Sequence, residues 1–158
     1  MARYHTHTVD PNVGINATWP DGSYMLVQPS AGCRPGWPAG YYRHDTEDDD
    51  NDNDATRGLL NYLRIPYDQD FVTVNYCAKS AGNTNTPWPV GKYCLAKHGH
   101  CPGGFLEGSI TWDDEDTNNK NKILKPVPSS SNFRNPTFRY CCRQDGSCLL
   151  YTSDAADE

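Results

Sequence analysis

One pattern of unusual residues occurs twice in this chain. Trp19-Pro20-Asp21-Gly22-Ser23-Tyr24-Met25-Leu26 and Trp88-Pro89-Val90-Gly91-Lys92-Tyr93-Cys94-Leu95 share W-P-x-G-x-Y-x-L at an offset of 69 residues. After a one-residue slip Cys33 falls on Cys101, Gly36 on Gly104, Trp37 on Phe105 and Gly40 on Gly108. The acidic stretch follows in step, with Asp45, Glu47, Asp48, Asn51 and Asn53 on Asp113, Glu115, Asp116, Asn119 and Asn121. Thr73, Tyr76, Cys77, Lys79 and Gly82 then fall on Thr137, Tyr140, Cys141, Arg143 and Gly146 at an offset of 64. A repeat of this length means two copies of one supersecondary unit that bury their apolar faces against each other. The expected organisation is a domain over 19–147 with one unit at 19–86 and the next at 87–147. The unmatched stretches, Asp54 to Asp70 and Lys122 to Pro136, are expected to be variable loops.

Turn-forming Pro-Xaa-Gly, Gly-rich and Asx-rich segments punctuate the chain every eight to twelve residues, and the intervals are rich in Tyr, Val and Thr. The expectation is a mainly β, disulfide-rich fold of two pseudo-symmetric tandem units packed as one compact domain. Only Ala55 to Leu63 could carry a helical turn or two, and Gly58 weakens it.

The chain cannot rely on a large core. It is 36% hydrophobic, with 12 Pro, 13 Gly and a mean hydropathy of -0.80. Its seven Cys therefore read as disulfides made in an oxidising compartment, each contributing about 2–4 kcal/mol. The repeat constrains their pairing. Cys33 and Cys77 match Cys101 and Cys141, so the simplest arrangement is Cys33 with Cys77 and Cys101 with Cys141. Cys94 and Cys142 occupy the positions where the first unit carries Met25 and Ala78, as expected for two residues that touch. An exchanged arrangement, Cys33 with Cys141 and Cys77 with Cys101, keeps the same symmetry. Zinc is the rival use of these side chains, since His98 and His100 lie beside Cys94 and Cys101. The spacing lacks the Cys-x2-4-Cys hairpin of a finger or ribbon. His5 and His7 read as solvated residues of a polar terminus.

A net charge of -6 and a pI near 5.2 argue against nucleic acid and anionic membrane surfaces as partners. No stretch approaches the ~20 apolar residues of a membrane span. Residues 1–18 read as the polar N-terminal segment of a truncated secreted chain, with a partner domain expected upstream. Asn16-Ala17-Thr18 is a glycosylation sequon. Residues 148–158 (CLLYTSDAADE) resemble a translated sequencing-library adapter and are expected to be non-native. Removing them leaves six Cys.

The acidic residues Asp45, Glu47, Asp48, Asp113, Glu115 and Asp116 recur between the units. They are expected to cap turns by accepting backbone N–H bonds, and the alternative is Ca2+, although no Gly-centred EF-hand loop is present. No other cofactor and no metal site is expected. Trp19, Tyr24, Trp37, Trp88, Tyr93, Phe105 and Trp112 are the ligand-binding candidates, because flat apolar rings with polar edges suit sugar faces. The same rings are also the obvious material for a small core. No nucleophile with a base and no acid pair with a flanking pocket stands out, so the expected activity is binding without catalysis.

Taken together, W-P-x-G-x-Y-x-L, Cys101-Pro102-Gly103-Gly104-Phe105, Asp113-Asp114-Glu115-Asp116 and Phe138-Arg139-Tyr140-Cys141-Cys142-Arg143-Gln144-Asp145-Gly146 resemble the apextrin C-terminal domain family, over about Trp19 to Gly146. The resemblance implies a secreted protein of marine invertebrates that recognises bacterial peptidoglycan or muropeptide in innate immunity, or else a structural matrix or adhesion module that binds host protein. It carries no residue-level binding site with it.

Overall fold

The computed structural model describes residues 18–46, 57–68, 70–82, 84–113, 119–128 and 134–146. Asn16 and Ala17 of the sequon, His5, His7, Glu47, Asp48, Glu115, Asp116 and the segment 148–158 lie outside the described residues. Among the described residues seven strands and one short helix follow in order: β1 (Tyr24–Val27), β2 (Ala39–Asp45), α1 (Arg57–Leu60), β3 (Phe71–Lys79), β4 (Lys92–Lys97), β5 (Leu106–Thr111), β6 (Lys122–Leu124) and β7 (Thr137–Gln144). All pair antiparallel in one sheet ordered β5-β7-β4-β1-β3-β2-β6. Such pairing suits these strands, which carry Tyr, Val, Thr and Ile and end at, or are followed within three residues by, Gly, Pro or Asp.

Residues before Thr86 supply the block β1-β3-β2, and residues after it supply β4-β7-β5. The blocks meet where β1 lies beside β4, with Tyr24 opposite Lys97 and Met25 opposite Ala96. The stretch from Lys122 to Pro136 is more than a loop. Its β6 pairs with β2, setting Ile123 opposite Tyr42, while its chain neighbours β5 and β7 stand at the far side of the sheet. Three residues are too few to display an alternating pattern in sequence.

The sheet is rolled. Four inter-strand steps separate β2 from β7, about 19 Å on a flat sheet, yet the rings of Tyr42 and Phe138 are 5.0 Å apart. The roll encloses Met25, Tyr42, Tyr76, Ala78, Ala96 and Phe138, flanked by Val27, Val74, Ile123, Val127 and Tyr140. Because side chains alternate along a strand, Tyr24, Leu26, Tyr93 and Leu95 point to the outer face. Two glycines permit close approaches. A Cβ at Gly40 would lie 2.0 Å from the Pro126 carbonyl oxygen, and one at Gly22, whose φ is +121°, would lie 2.7 Å from Pro102 Cγ.

The disulfides are Cys33–Cys77, Cys94–Cys142 and Cys101–Cys141, not the exchanged set, and with their sulfurs so bonded these cysteines offer no thiolates to zinc. Cys94 and Cys142 face each other directly across β4 and β7. In the first block the same place is held by Met25 opposite Ala78.

Candidate functional site

On the outer face, over the line where β1 meets β4, lies an apolar groove of about 310 Å³ lined by Trp19, Pro20, Tyr24, Leu26, Trp88, Pro89, Tyr93 and Leu95. These are four matched pairs from the W-P-x-G-x-Y-x-L segments. Each segment holds its tyrosine in the same way: Tyr24 donates from its hydroxyl to the Pro20 carbonyl at 3.2 Å, and Tyr93 to the Pro89 carbonyl at 2.8 Å. Trp88 Nε1 donates to the Asp21 carbonyl at 3.1 Å, joining the two segments across the groove. Thr18 and Thr86 share a 2.6 Å hydroxyl contact at its end.

Of the seven aromatic candidates, six form one chain of edge-to-face contacts. Trp37 meets Trp19 at 5.5 Å and Tyr24 at 6.1 Å, Tyr24 meets Trp88 at 4.9 Å, and Phe105 meets Trp88 at 4.8 Å and Tyr93 at 5.8 Å. Trp112 stands elsewhere, against His44 at 5.4 Å. The six divide by burial. Tyr24 and Phe105 are buried and serve as floor and buttress, while Trp19 is 37% exposed and Trp37, Trp88 and Tyr93 are half-buried. Burial pushes the Tyr24 hydroxyl far above its ordinary pKa, and desolvation raises that of Tyr93, so both stay neutral hydrogen-bonding groups at physiological pH. Cations lie against two of these rings: Lys79 Nζ is 5.4 Å from the Tyr24 ring, and the Arg143 guanidinium 5.9 Å from the Phe105 ring.

A second cleft, of about 320 Å³, opens beside the groove and shares Trp19 and Leu26 with it. Val27, Pro29, Gly32, Arg34, Trp37 and the Cys33–Cys77 bridge complete its lining. Sequence patterning did not reveal it, since its wall is assembled from β1, β3 and the loop that carries Cys33.

Of the six acidic candidates, Asp45 and Asp113 lie within the described residues. Asp45 is buried at the end of β2. Its Oδ2 accepts from the Lys120 backbone N–H at 2.5 Å, and its own N–H donates to Asn121 Oδ1 at 2.7 Å. Asn119 Oδ1 accepts from the Asn121 N–H at 3.0 Å. This is turn-capping chemistry, and it ties the second acidic segment to the first. Among the described residues no group of three or more His, Cys, Asp or Glu is arranged to hold a metal ion, and no helix is long and apolar enough to cross a membrane.

The family model of the C-terminal domain of apextrin matches residues 19–151. The chain belongs to the apextrin C-terminal domain family. No curated protein and no solved structure matches the chain. The family match spans both halves of the groove in this apextrin-type domain, from Trp19 to Leu95, and all three disulfides. Three bridges in so polar a chain are consistent with an extracellular location.

Proposed function

We propose that this domain is an extracellular recognition module of invertebrate innate immunity that binds bacterial peptidoglycan or muropeptide and leaves it chemically unchanged. The observation that carries the reading is the convergence of Trp19, Trp88 and Tyr93 on one outward-facing groove, with Tyr24 beneath them. A sugar ring presents a flat array of C–H bonds that packs well on aromatic faces, and rings held by edge-to-face contacts lose little freedom on binding. The groove lining contains no carboxylate, histidine, serine or lysine, which suits binding rather than hydrolysis. No cofactor enters this reading, and Asp45 serves as a turn scaffold rather than a Ca2+ ligand.

A second reading is a matrix or adhesion module that binds host protein. It draws on Leu106 and Ile110 of edge strand β5 and Trp112 just beyond it, which are 68%, 52% and 50% exposed, since an exposed apolar edge is a common protein contact. A pull-down on insoluble peptidoglycan, chitin and host matrix, in calcium and in chelator, separates the two. Retention on peptidoglycan in both buffers, weakened at least tenfold by Trp19→Ala, is expected. Retention on matrix alone, insensitive to Trp19→Ala, establishes the second reading instead.

A further inference from the structure

The three bridges differ in how they meet solvent. Cys77 and Cys141 are buried, so Cys33–Cys77 and Cys101–Cys141 each keep one partner inside the protein. Cys94 is exposed, and its partner Cys142 is half-buried. The register accounts for it: β4 pairs with β1 at Lys97 and Ala96, and from Leu95 to Lys92 its ladder is with β7. In the first half the residue matched to Cys94 is Met25, buried in the core with buried Ala78 opposite. The same cross-strand site is thus sealed in one half and open to water in the other. Leu106, opposite Cys142 on β5, is exposed beside it.

We infer that Cys94–Cys142 is a thiol-exchange site, at which an external low-molecular-weight thiol of the glutathione type is joined reversibly to Cys94 while the rest of the fold stays intact. The external thiolate attacks Cys94 Sγ, at the exposed end of the bridge. A sulfur–sulfur bond forms between them, the Cys94–Cys142 bond breaks, and Cys142 leaves as a thiolate that takes a proton from water. A second external thiolate then attacks the attached sulfur, releasing Cys94 as a thiolate and the reagent as its own disulfide. Exposure of Cys94 supplies the access that exchange requires. The neighbouring bridge confines the product. Cys101 lies seven residues after Cys94, and Cys141 immediately precedes Cys142, so Cys101–Cys141 still ties the chain beyond β4 to β7 once the exposed bridge opens. Side chains alternate along β7, which turns the freed Cys142 thiolate away from Cys141. The rival target is Cys33–Cys77, which lines the cleft beside the groove. There an incoming thiolate must shed its water between Trp19, Leu26, Val27, Pro29 and Trp37, a cost that exposed Cys94 does not impose.

The test uses the full oxidised chain, with any free thiol first capped by iodoacetamide. It is treated with graded reduced glutathione near neutral pH, quenched with N-ethylmaleimide and mapped by mass spectrometry. Cys94–Cys142 is expected to open at least about tenfold faster than either other bridge, with glutathione recovered on Cys94, maleimide on Cys142 and an unchanged far-ultraviolet spectrum. The double variant Cys94→Met with Cys142→Ala is expected to take up no glutathione over the same interval. Wild-type mapping decides the matter by itself if that variant fails to fold. Opening of all three bridges together, opening of Cys33–Cys77 first, or no opening at any concentration overturns the site. So does glutathione on Cys142 in place of Cys94, or loss of the far-ultraviolet spectrum in step with the opening. Uptake of glutathione by the folded double variant at the wild-type rate overturns it as well.

Discussion

Asp21 and Asp145 each brace the turn of one W-P-x-G segment. In the first half the carboxylate sits in the W-P-x-G turn itself: Asp21 Oδ1 accepts from the backbone N–H groups of Gly82 at 2.7 Å and Gly22 at 2.8 Å. In the second half that position is Val90, and the carboxylate comes from just beyond β7, where Asp145 Oδ1 accepts from the Gly91 N–H at 3.1 Å and Oδ2 pairs with Arg143. The Gly82 and Gly22 donors hold the Asp21 pKa down, and Arg143 with the Gly91 N–H brings that of Asp145 to about 2. A folded-state pKa below the unfolded value of about 3.9 stabilises the protein at all pH above that value. This contribution is lost as pH falls from about 4 through the folded values. Melting temperature is therefore expected to be level from pH 7 to 5 on this account and to decline below pH 4. Asp145→Asn should be less stable than wild type at pH 7, with the difference shrinking toward pH 2.5, as differential scanning calorimetry can measure. None of this was legible beforehand, because Asp21 occupies a variable position of the motif and its partner is 61 residues away. The burial of Asp45, in a run expected to cap turns, was equally hidden.

At the level of strands, the halves differ most at one cross-strand pair. Cys94 and Cys142 are bonded with their Cα atoms 4.0 Å apart, whereas Met25 and Ala78 occupy the corresponding register between β1 and β3 as buried apolar neighbours. A sheet that accepts either solution at one position should survive exchange of one for the other. The double variant Cys94→Met with Cys142→Ala is expected to fold with an unchanged far-ultraviolet spectrum and to lose about 2–4 kcal/mol in denaturant titration, the usual worth of a bridge. Removing Cys77, which is buried, instead leaves Cys33 without its disulfide partner and should cost at least as much. This level was the most readable. Residue types marked the β-rich intervals and the short helix at Arg57–Leu60. Cys94 could be paired with Cys142 because both are absent from the matching positions of the first segment, whereas for the other four cysteines the exchanged arrangement stayed open and the bridges Cys33–Cys77 and Cys101–Cys141 exclude it. The strand β6 escaped notice, since Lys122–Leu124 is too short to carry a period and its partner β2 lies in the other half.

For the whole molecule, what composition left open was curvature. The seven aromatic candidates could be ranked by type, but only the roll decides which are walls and which are filling. It turns Tyr42 and Phe138 inward, sets the β1–β4 line on the outside and leaves Trp112 near the β5 edge, away from the other six. The connectivity of the bridges also bears on how the molecule is made. Ribosomes deliver the chain N-terminus first, so Cys33 and Cys77 are both present before Cys94 has been added, and within this domain they have at that stage only each other to choose. Ambiguity begins when Cys141 and Cys142 arrive together with Cys94 and Cys101 still reduced. The two newcomers point to opposite sides of β7, so the sheet itself must form before the choice can be made correctly. Errors of assembly should accordingly be confined to the later-made half, as Cys94–Cys141 with Cys101–Cys142. A scrambled product isolated after brief oxidation of nascent chains should still carry Cys33–Cys77 intact.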